Sequence, residues 1–405
     1  MAQPFALYTH IPFCTAKCSY CDFNSYAGQD SLFEPYAQAV AREAALWSPR
    51  VTGRKVETVF FGGGTPSLLP LPQMQTIVDA LKQHFDLTPD AEISLEANPG
   101  TVDAAHLEGL RRIGFNRISF GVQSFHDDEL LSLDRIHASS EVDDAYRWAR
   151  AAGFENVNLD LIYGLAGQDM AGWQENLEKA LSMGPDHLSL YALTLEEGTP
   201  LTRDVGRGRV DGPDLDLQAD MFEWSRERMA KAGYHQYEVS NWARDGRECR
   251  HNLIYWRNGD WLGLGAGAHS HLFDWRFADA SSPSRYINLV NEAALGHFVE
   301  RDAASDAEPT PLTAMRQVTL REAPDREREM SETVMLALRL REGLDLAAFE
   351  ARYGVSLQQA FAAPLEETTA LGLVELTADN RLRLRDEAVL LGDEAFMRFL
   401  PGWSD

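Results

Sequence analysis

LEGLRRIGFNRISFGV, residues 107–122, joins the two patterns that decide the fold. A helical stretch stops at Gly114, and an apolar, β-branched run follows at once. A glycine just past the last turn supplies the left-handed conformation that closes a helix. AYRWARAAGFENVNLDLIYG repeats the unit with its stop at Gly153, NLEKALSMGPDHLSLYAL at Gly184 and SRERMAKAGYHQYEV at Gly233. The spacing, about every 30 to 50 residues, fits a βα repeat. Strands are expected at 5–10 (FALYTH), 56–61 (VETVFF), 92–97 (EISLEA), 117–122 (RISFGV), 157–162 (VNLDLI) and 187–193 (HLSLYAL). Helical patterns separate all of them, which implies an α/β protein with a parallel sheet and right-handed crossovers. Six units beginning almost at residue 1 point to an incomplete (β/α)6 barrel, with an open doubly wound sheet as the alternative.

Composition narrows the function. The chain has 405 residues, 62 acidic against 37 basic, and a formal charge of −25. That balance argues against nucleic acid and against an anionic membrane surface as partners. The acid is spread along the chain, as on an ordinary solvated surface. The N-terminus lacks the basic start and apolar core of a signal peptide, and no run of about 18 apolar residues offers a membrane span. A cytoplasmic protein is expected. Any membrane association would run through a partner, and monomer and homodimer are both open.

The composition changes after about residue 300, giving a core over 1–300 and a C-terminal domain over 301–405. RDAASDAEPTPLTAMRQVTLREAPDRE, from 301, reads as a connection. Helices follow at SETVMLALRL, DLAAFEARYG and LQQAFAAPLEETTALG, then two short strands around an Asp-Asn turn in VELTADNRLRLR. Helices before a small hairpin resemble a winged-helix α+β module. The third helix carries Glu366 and Glu367 with no Lys or Arg, so packing or partner docking is the better reading than DNA binding.

Four cysteines are not a disulfide framework, and three of them, Cys14, Cys18 and Cys21, stand C-x3-C-x2-C directly after the first strand. At that end of a barrel the loops converge and chemistry is done. Three thiolates suit an iron–sulfur cluster with one iron left for a non-protein ligand. A zinc site would need a fourth ligand, from His10, Asp22, Cys249 or His251. A redox dithiol is the third option.

This constellation resembles the radical S-adenosylmethionine (SAM) superfamily. The resemblance implies a radical SAM barrel whose three cysteines hold a [4Fe–4S] cluster, with the amino and carboxylate groups of SAM on the fourth iron. The superfamily's chemistry is one-electron reduction of SAM to methionine and a 5′-deoxyadenosyl radical. FFGGGTPS (60–67) would bind the amino-acid end of SAM through Gly63, Gly64 and Thr65, its glycines letting a ligand approach the backbone closely. A tight turn explains such a run equally well. Glu96, Gln123 and Asp160 interrupt apolar strands at their exits, where they could meet ribose or the sulfonium; hydrogen-bonded core residues are the plain alternative. The resemblance adds Tyr8 over the adenine or cluster side and Arg135 near the SAM carboxylate.

LYTHIPFC, GGGTPS, SFGVQSF and NLDLIYGLAGQ are more specific. They resemble the oxygen-independent coproporphyrinogen III dehydrogenase group over nearly the whole chain. The true dehydrogenases carry a further cysteine two places after the third and a longer N-terminal segment. Here that place is Phe23, and only 13 residues precede Cys14. Phe at this place, the run His251-Asn252-Leu253-Ile254-Tyr255-Trp256 and the following GDWLGLGAGAHS instead resemble the haem-chaperone branch. That branch implies haem as a bound cofactor, delivered to acceptor apoproteins such as respiratory enzymes or cytochromes. An oxidative decarboxylase of coproporphyrinogen III is the alternative. Imidazole is a common axial ligand of haem iron, and Tyr and Trp beside it would form a flat wall for a porphyrin. Cys249, His269 and His271 are rivals to His251, and simple packing of the HNLIYW segment is the other reading.

Overall fold

The computed structural model describes residues 4–295, 312 and 315–402. Six parallel strands, β1 (Phe5–Ile11), β2 (Lys55–Gly63), β3 (Asp86–Ala97), β4 (Arg117–Gln123), β5 (Asn156–Tyr163) and β6 (His187–Ala192), are neighbours in sequence order. A sheet that winds in one direction has no point where the strand order reverses, so the doubly wound alternative is excluded. The helices that cross between them end as expected. Gly184, at φ 68°, closes helix Met170–Met183, whose first turn is capped by Asp169 accepting from Gly172 N at 2.8 Å. The outward strand faces and the helices share one core, in which Trp47, Trp173, Phe115 and Phe120 are buried.

The barrel does not close, and β1 and β6 do not pair. The outer edge of β1 takes a seventh parallel strand, β7 (Asp260–Leu264), with Thr9 opposite Leu264. Antiparallel strands His269–Leu272, Trp275–Asp279 and Val318–Glu322 continue from there. Past β6 lie Asn241–Ala243 and His235–Glu238, both antiparallel. The unit stopping at Gly233 therefore leads into an edge ribbon and adds no barrel strand. Among the described residues the sheet has twelve strands. Those after residue 240 are short, and several hold few apolar residues, so periodicity left them unread.

The start of the connection expected at 301–327 lies outside the described residues; its end forms the strand Val318–Glu322 and the start of helix Arg326–Leu338. Beyond it a second core gathers around Phe349, Leu382 and Phe396. The expected hairpin is present as Val374–Leu376 and Arg381–Leu384, turning through Asn380 at φ 63°, with Leu344–Asp345 as a third strand. LQQAFAAPLEETTALG forms two helices, Leu357–Ala360 and Ala362–Ala370. Pro364 fits the first turn of a helix but not its interior, so the break falls just before it.

Candidate cofactor site in the open barrel

The cysteine loop leaves β1 at its C-terminal end and doubles back over the end of β2. Gly64 N donates to Ile11 O at 2.9 Å and Thr65 N to Phe13 O at 2.8 Å. A Cβ on Gly64 would lie 2.6 Å from the Phe13 carbonyl oxygen and 3.0 Å from Cys14 Sγ. One on Gly63, at φ 116°, would lie 2.5 Å from the His10 ring. Bare backbone is therefore required first by the protein itself, to seat the cysteine loop against β2.

His10 holds the far side of that loop. Its Nε2 donates to Asn24 O at 2.8 Å, which leaves Nδ1 to accept from Tyr8 OH at 3.0 Å. Burial lowers its pKa to about 4. A neutral ring with both nitrogens engaged has no lone pair for a metal. Asn24 Nδ2 donates onward to Ala266 O at 2.9 Å and Ser281 O at 3.0 Å. Tyr36 OH donates to His10 O at 2.7 Å and accepts from Ala266 N at 2.8 Å. The GLGAGAHS segment thus braces the loop from outside.

Cys14, Cys18 and Cys21 are half-buried free thiols on the wall of one cavity of about 560 Å³. Thr65 Oγ1 donates to Cys14 Sγ and Arg135 Nη1 to Cys18 Sγ, each at 3.6 Å. Among the described residues, no three His, Cys, Asp or Glu side chains converge on an ion-sized point. Three thiols on one loop are the donor set of a multi-iron cluster, where a closed zinc site would draw four ligands together. Of the zinc alternatives, His10 is engaged, and Cys249 and His251 lie at the other end of the strands.

Every residue singled out from the sequence as a cofactor contact lines this cavity with the three cysteines. Glu96 accepts from Gly63 N at 3.2 Å, and burial, then the charge of Asp160, pushes its carboxyl up to about 8. Asp160 accepts from Ser119 Oγ at 2.8 Å and from Asn158 Nδ2 at 2.7 Å, and burial raises it too. Gln123 leaves β4 in the left-handed region at φ 65°, a strained position for a side-chain-bearing residue. Arg135 Nη2 donates to Gly121 O at 2.6 Å, which fixes the guanidinium beside Cys18. Tyr8 gives its hydroxyl to His10, and burial with Glu96 nearby keeps that hydroxyl protonated.

Helix Arg250–Trp256 closes the opposite end. Its first amides, Arg250 N and His251 N, donate to Glu92 at 3.2 and 3.3 Å. His251, Asn252 and Tyr255 line the cavity, and Phe60 stacks on the His251 ring at 5.2 Å. Trp256 does not join them; it lies 5.2 Å from the Arg339 guanidinium of the C-terminal unit, so the expected Tyr–Trp wall is built by Tyr255 and Phe60 instead. His251 is fully buried, with Nδ1 2.8 Å from Thr58 Oγ1 and Nε2 2.8 Å from Tyr255 OH. Burial and the Arg117 charge lower its pKa to about 3. The rivals sit elsewhere. Cys249 is buried with its thiol pushed up to about 12, His269 is exposed, and His271 is buried 3.3 Å from Glu329. The sequence reading missed Arg117, Ser119 and Asn158 on the wall, although every-other-residue polarity along β4 and β5 was the signal for them. Phe23 (61% exposed), Ile136 and Tyr191 make an apolar rim.

Residues 8–180 match the Radical SAM superfamily, and residues 325–391 match the HemN C-terminal domain. An open parallel barrel with three cysteines at its mouth and this C-terminal unit defines a radical SAM protein of the HemN type. The chain is 38% identical over 403 residues to Heme chaperone HemW of Mycobacterium tuberculosis, covering 99% of this chain and 95% of that one. It is 34% identical over 394 residues to Heme chaperone HemW of Bacillus subtilis, with 97% and 98% covered. The chain belongs to the HemW family. The solved coproporphyrinogen III oxidase (HemN) of Escherichia coli shares the fold, with a TM-score of 0.83 at 24% identity over 99% of this chain and 91% of that one.

Proposed function

We propose that this protein binds haem and hands it to acceptor apoproteins such as respiratory enzymes or cytochromes. The observation that carries the reading is the likeness to relatives named heme chaperones across 99% of the chain. In the same reading Cys14, Cys18 and Cys21 hold a [4Fe–4S] cluster. Gly63, Gly64 and Thr65 receive the amino-acid end of SAM, with Arg135 at its carboxylate. Glu96, Gln123 and Asp160 serve its ribose and sulfonium, and Tyr8 covers the adenine or cluster side. A reduced cluster supplies an electron to SAM when both are bound. The chain's own share is to seat the thiolates, offer polar contacts along one wall and keep water out of a narrow cavity. The shared wall and the donors on Cys14 and Cys18 support these roles.

His251 is proposed as a haem contact. For axial ligation its Nε2 would first have to leave Tyr255 OH. The chain divides its work, in the cytoplasm, between a core, 1–300, whose sheet also takes in strand Val318–Glu322, and a C-terminal unit from the rest of 301–405; among the described residues no helix is long and apolar enough to cross a membrane.

Coproporphyrinogen III decarboxylation is the second reading, favoured by the HemN-like fold. Against it, Phe23 stands where that pattern has a cysteine, and its ring projects at the rim. Anaerobic incubation of cluster-loaded protein with SAM and coproporphyrinogen III separates the two. No protoporphyrinogen IX beyond one turnover is expected; sustained turnover would overturn the chaperone reading.

A further inference from the structure

The cavity wall holds one buried cation that the cofactor reading does not use. Arg117 opens β4, is 3% exposed and lines the cavity. Its Nε has no hydrogen-bond partner, and none of the ion pairs among the described residues includes it. The neighbouring carboxylates are engaged elsewhere. Glu92 accepts from Arg250 N, from His251 N and from the Cys249 thiol at 3.7 Å. Asp160 accepts from Ser119 and Asn158, one donor on each oxygen, and Glu96 accepts from Gly63 N. On the adjacent strand Ser94 is in register with Arg117 and fully buried, and its Oγ has no partner. His187 and His251, whose pKa values burial and the Arg117 charge both lower, stay neutral and add no competing cation.

A guanidinium taken out of water without a counter-ion is costly, and buried polar groups in folded proteins are as a rule satisfied. Arg117 as a mere counterweight to Glu92 and Asp160 would be drawn onto their oxygens; among the described residues it makes no hydrogen bond or ion pair with either, and those oxygens accept from other donors instead. We propose that Arg117, with Ser94 beside it, is the receptor for a carboxylate carried by a ligand that enters the barrel. The fork of N–H donors matches the two oxygens of a carboxylate, and the hydroxyl adds a third donor. The carboxylate comes either from a small free acid or from a porphyrin propionate; only the second source rests on the haem reading.

The test uses the full-length, cluster-loaded protein under anaerobic conditions. Sodium propionate (against sodium chloride), haem and haem dimethyl ester are titrated calorimetrically into wild type, Arg117→Gln, Arg117→Lys and Ser94→Ala. Saturable propionate binding that is lost in Arg117→Gln and partly kept in Arg117→Lys supports the receptor with a free acid. A preference of about tenfold or more for haem over its ester, abolished in Arg117→Gln, supports it with a porphyrin propionate. Two results overturn the proposal. One is wild type with neither propionate binding nor a haem–ester difference. The other is an Arg117→Gln protein that keeps its iron and melting temperature and binds all three probes as wild type does. If Arg117→Gln fails to fold, unchanged binding in both Arg117→Lys and Ser94→Ala overturns it instead. Absence of haem binding by wild type would sink the haem reading alone, and the propionate titration would still decide on Arg117.

Discussion

At the C-terminal ends of the strands, half-buried thiols and strained or glycine backbone face the cavity with bonding capacity to spare. At the N-terminal ends, helix Arg250–Trp256 closes the barrel with groups that are mostly satisfied by one another: His251 between Thr58 and Tyr255, and Glu92 on the helix amides. The mouth is rigid because main-chain bonds and close backbone contacts fix it, yet its chemistry waits for something the chain does not supply. The floor supplies its own partners and leaves one cation over. Unsatisfied capacity, more than residue type, separates a site from a scaffold here: His10 and His251 are both buried imidazoles, and both are already spoken for.

The sharpest way to break that contrast is to remove a thiol. Cys14→Ser, Cys18→Ser or Cys21→Ser should abolish the brown absorbance of the reconstituted cluster, whereas Cys249→Ser should keep full iron content. A cluster retained after any of the first three, or lost in the fourth, would erase the distinction between mouth and floor. Next comes Gly64→Ala. A methyl 2.6 Å from the Phe13 carbonyl must push the cysteine loop away, and most of the iron should be lost while the fold persists. Normal iron loading there would mean that the loop is not held by that close approach.

Smaller effects sharpen the reading of the floor. Tyr255→Phe frees His251 Nε2, so haem affinity should rise several-fold with a changed Soret band; an unchanged spectrum would return HNLIYW to packing. His251 also leaves a mark on stability. Its folded pKa, about 3, lies below the ordinary histidine value, so its contribution is present above about pH 6.5 and is lost as pH falls toward 3. His251→Gln should flatten the acid side of the stability curve of the cluster-free protein by up to about 1.4 kcal/mol per pH unit. Denaturant melts between about pH 7 and pH 5 check it; an unaltered slope would show that His251 is not held neutral.

The six barrel strands were legible because several of the crossing helices stop at a glycine and each strand carries apolar residues at alternate positions. The cysteine spacing and the GGGT run were legible because covalent neighbours make those contacts. Arg117 and Ser94 were not, since an orphaned donor is defined by what its neighbours across the sheet already bond. Trp256 was misjudged for a related reason. On a helix, positions 251, 252 and 255 share a face, and 256 turns from it toward Arg339. Strand β7 escaped because WLGLGAG is short and broken by glycines, and its pairing with neighbouring strands is what makes it a strand.

The most direct measurement is haem transfer. Anaerobically reconstituted protein is loaded with one equivalent of haem, freed of excess, and mixed with an apo-cytochrome while both Soret bands are followed. Stoichiometric loading followed by movement of haem to the acceptor, faster than from free haem under the same conditions, is the predicted result. Failure to load haem, or loading with no transfer to any acceptor tested, would contradict the account.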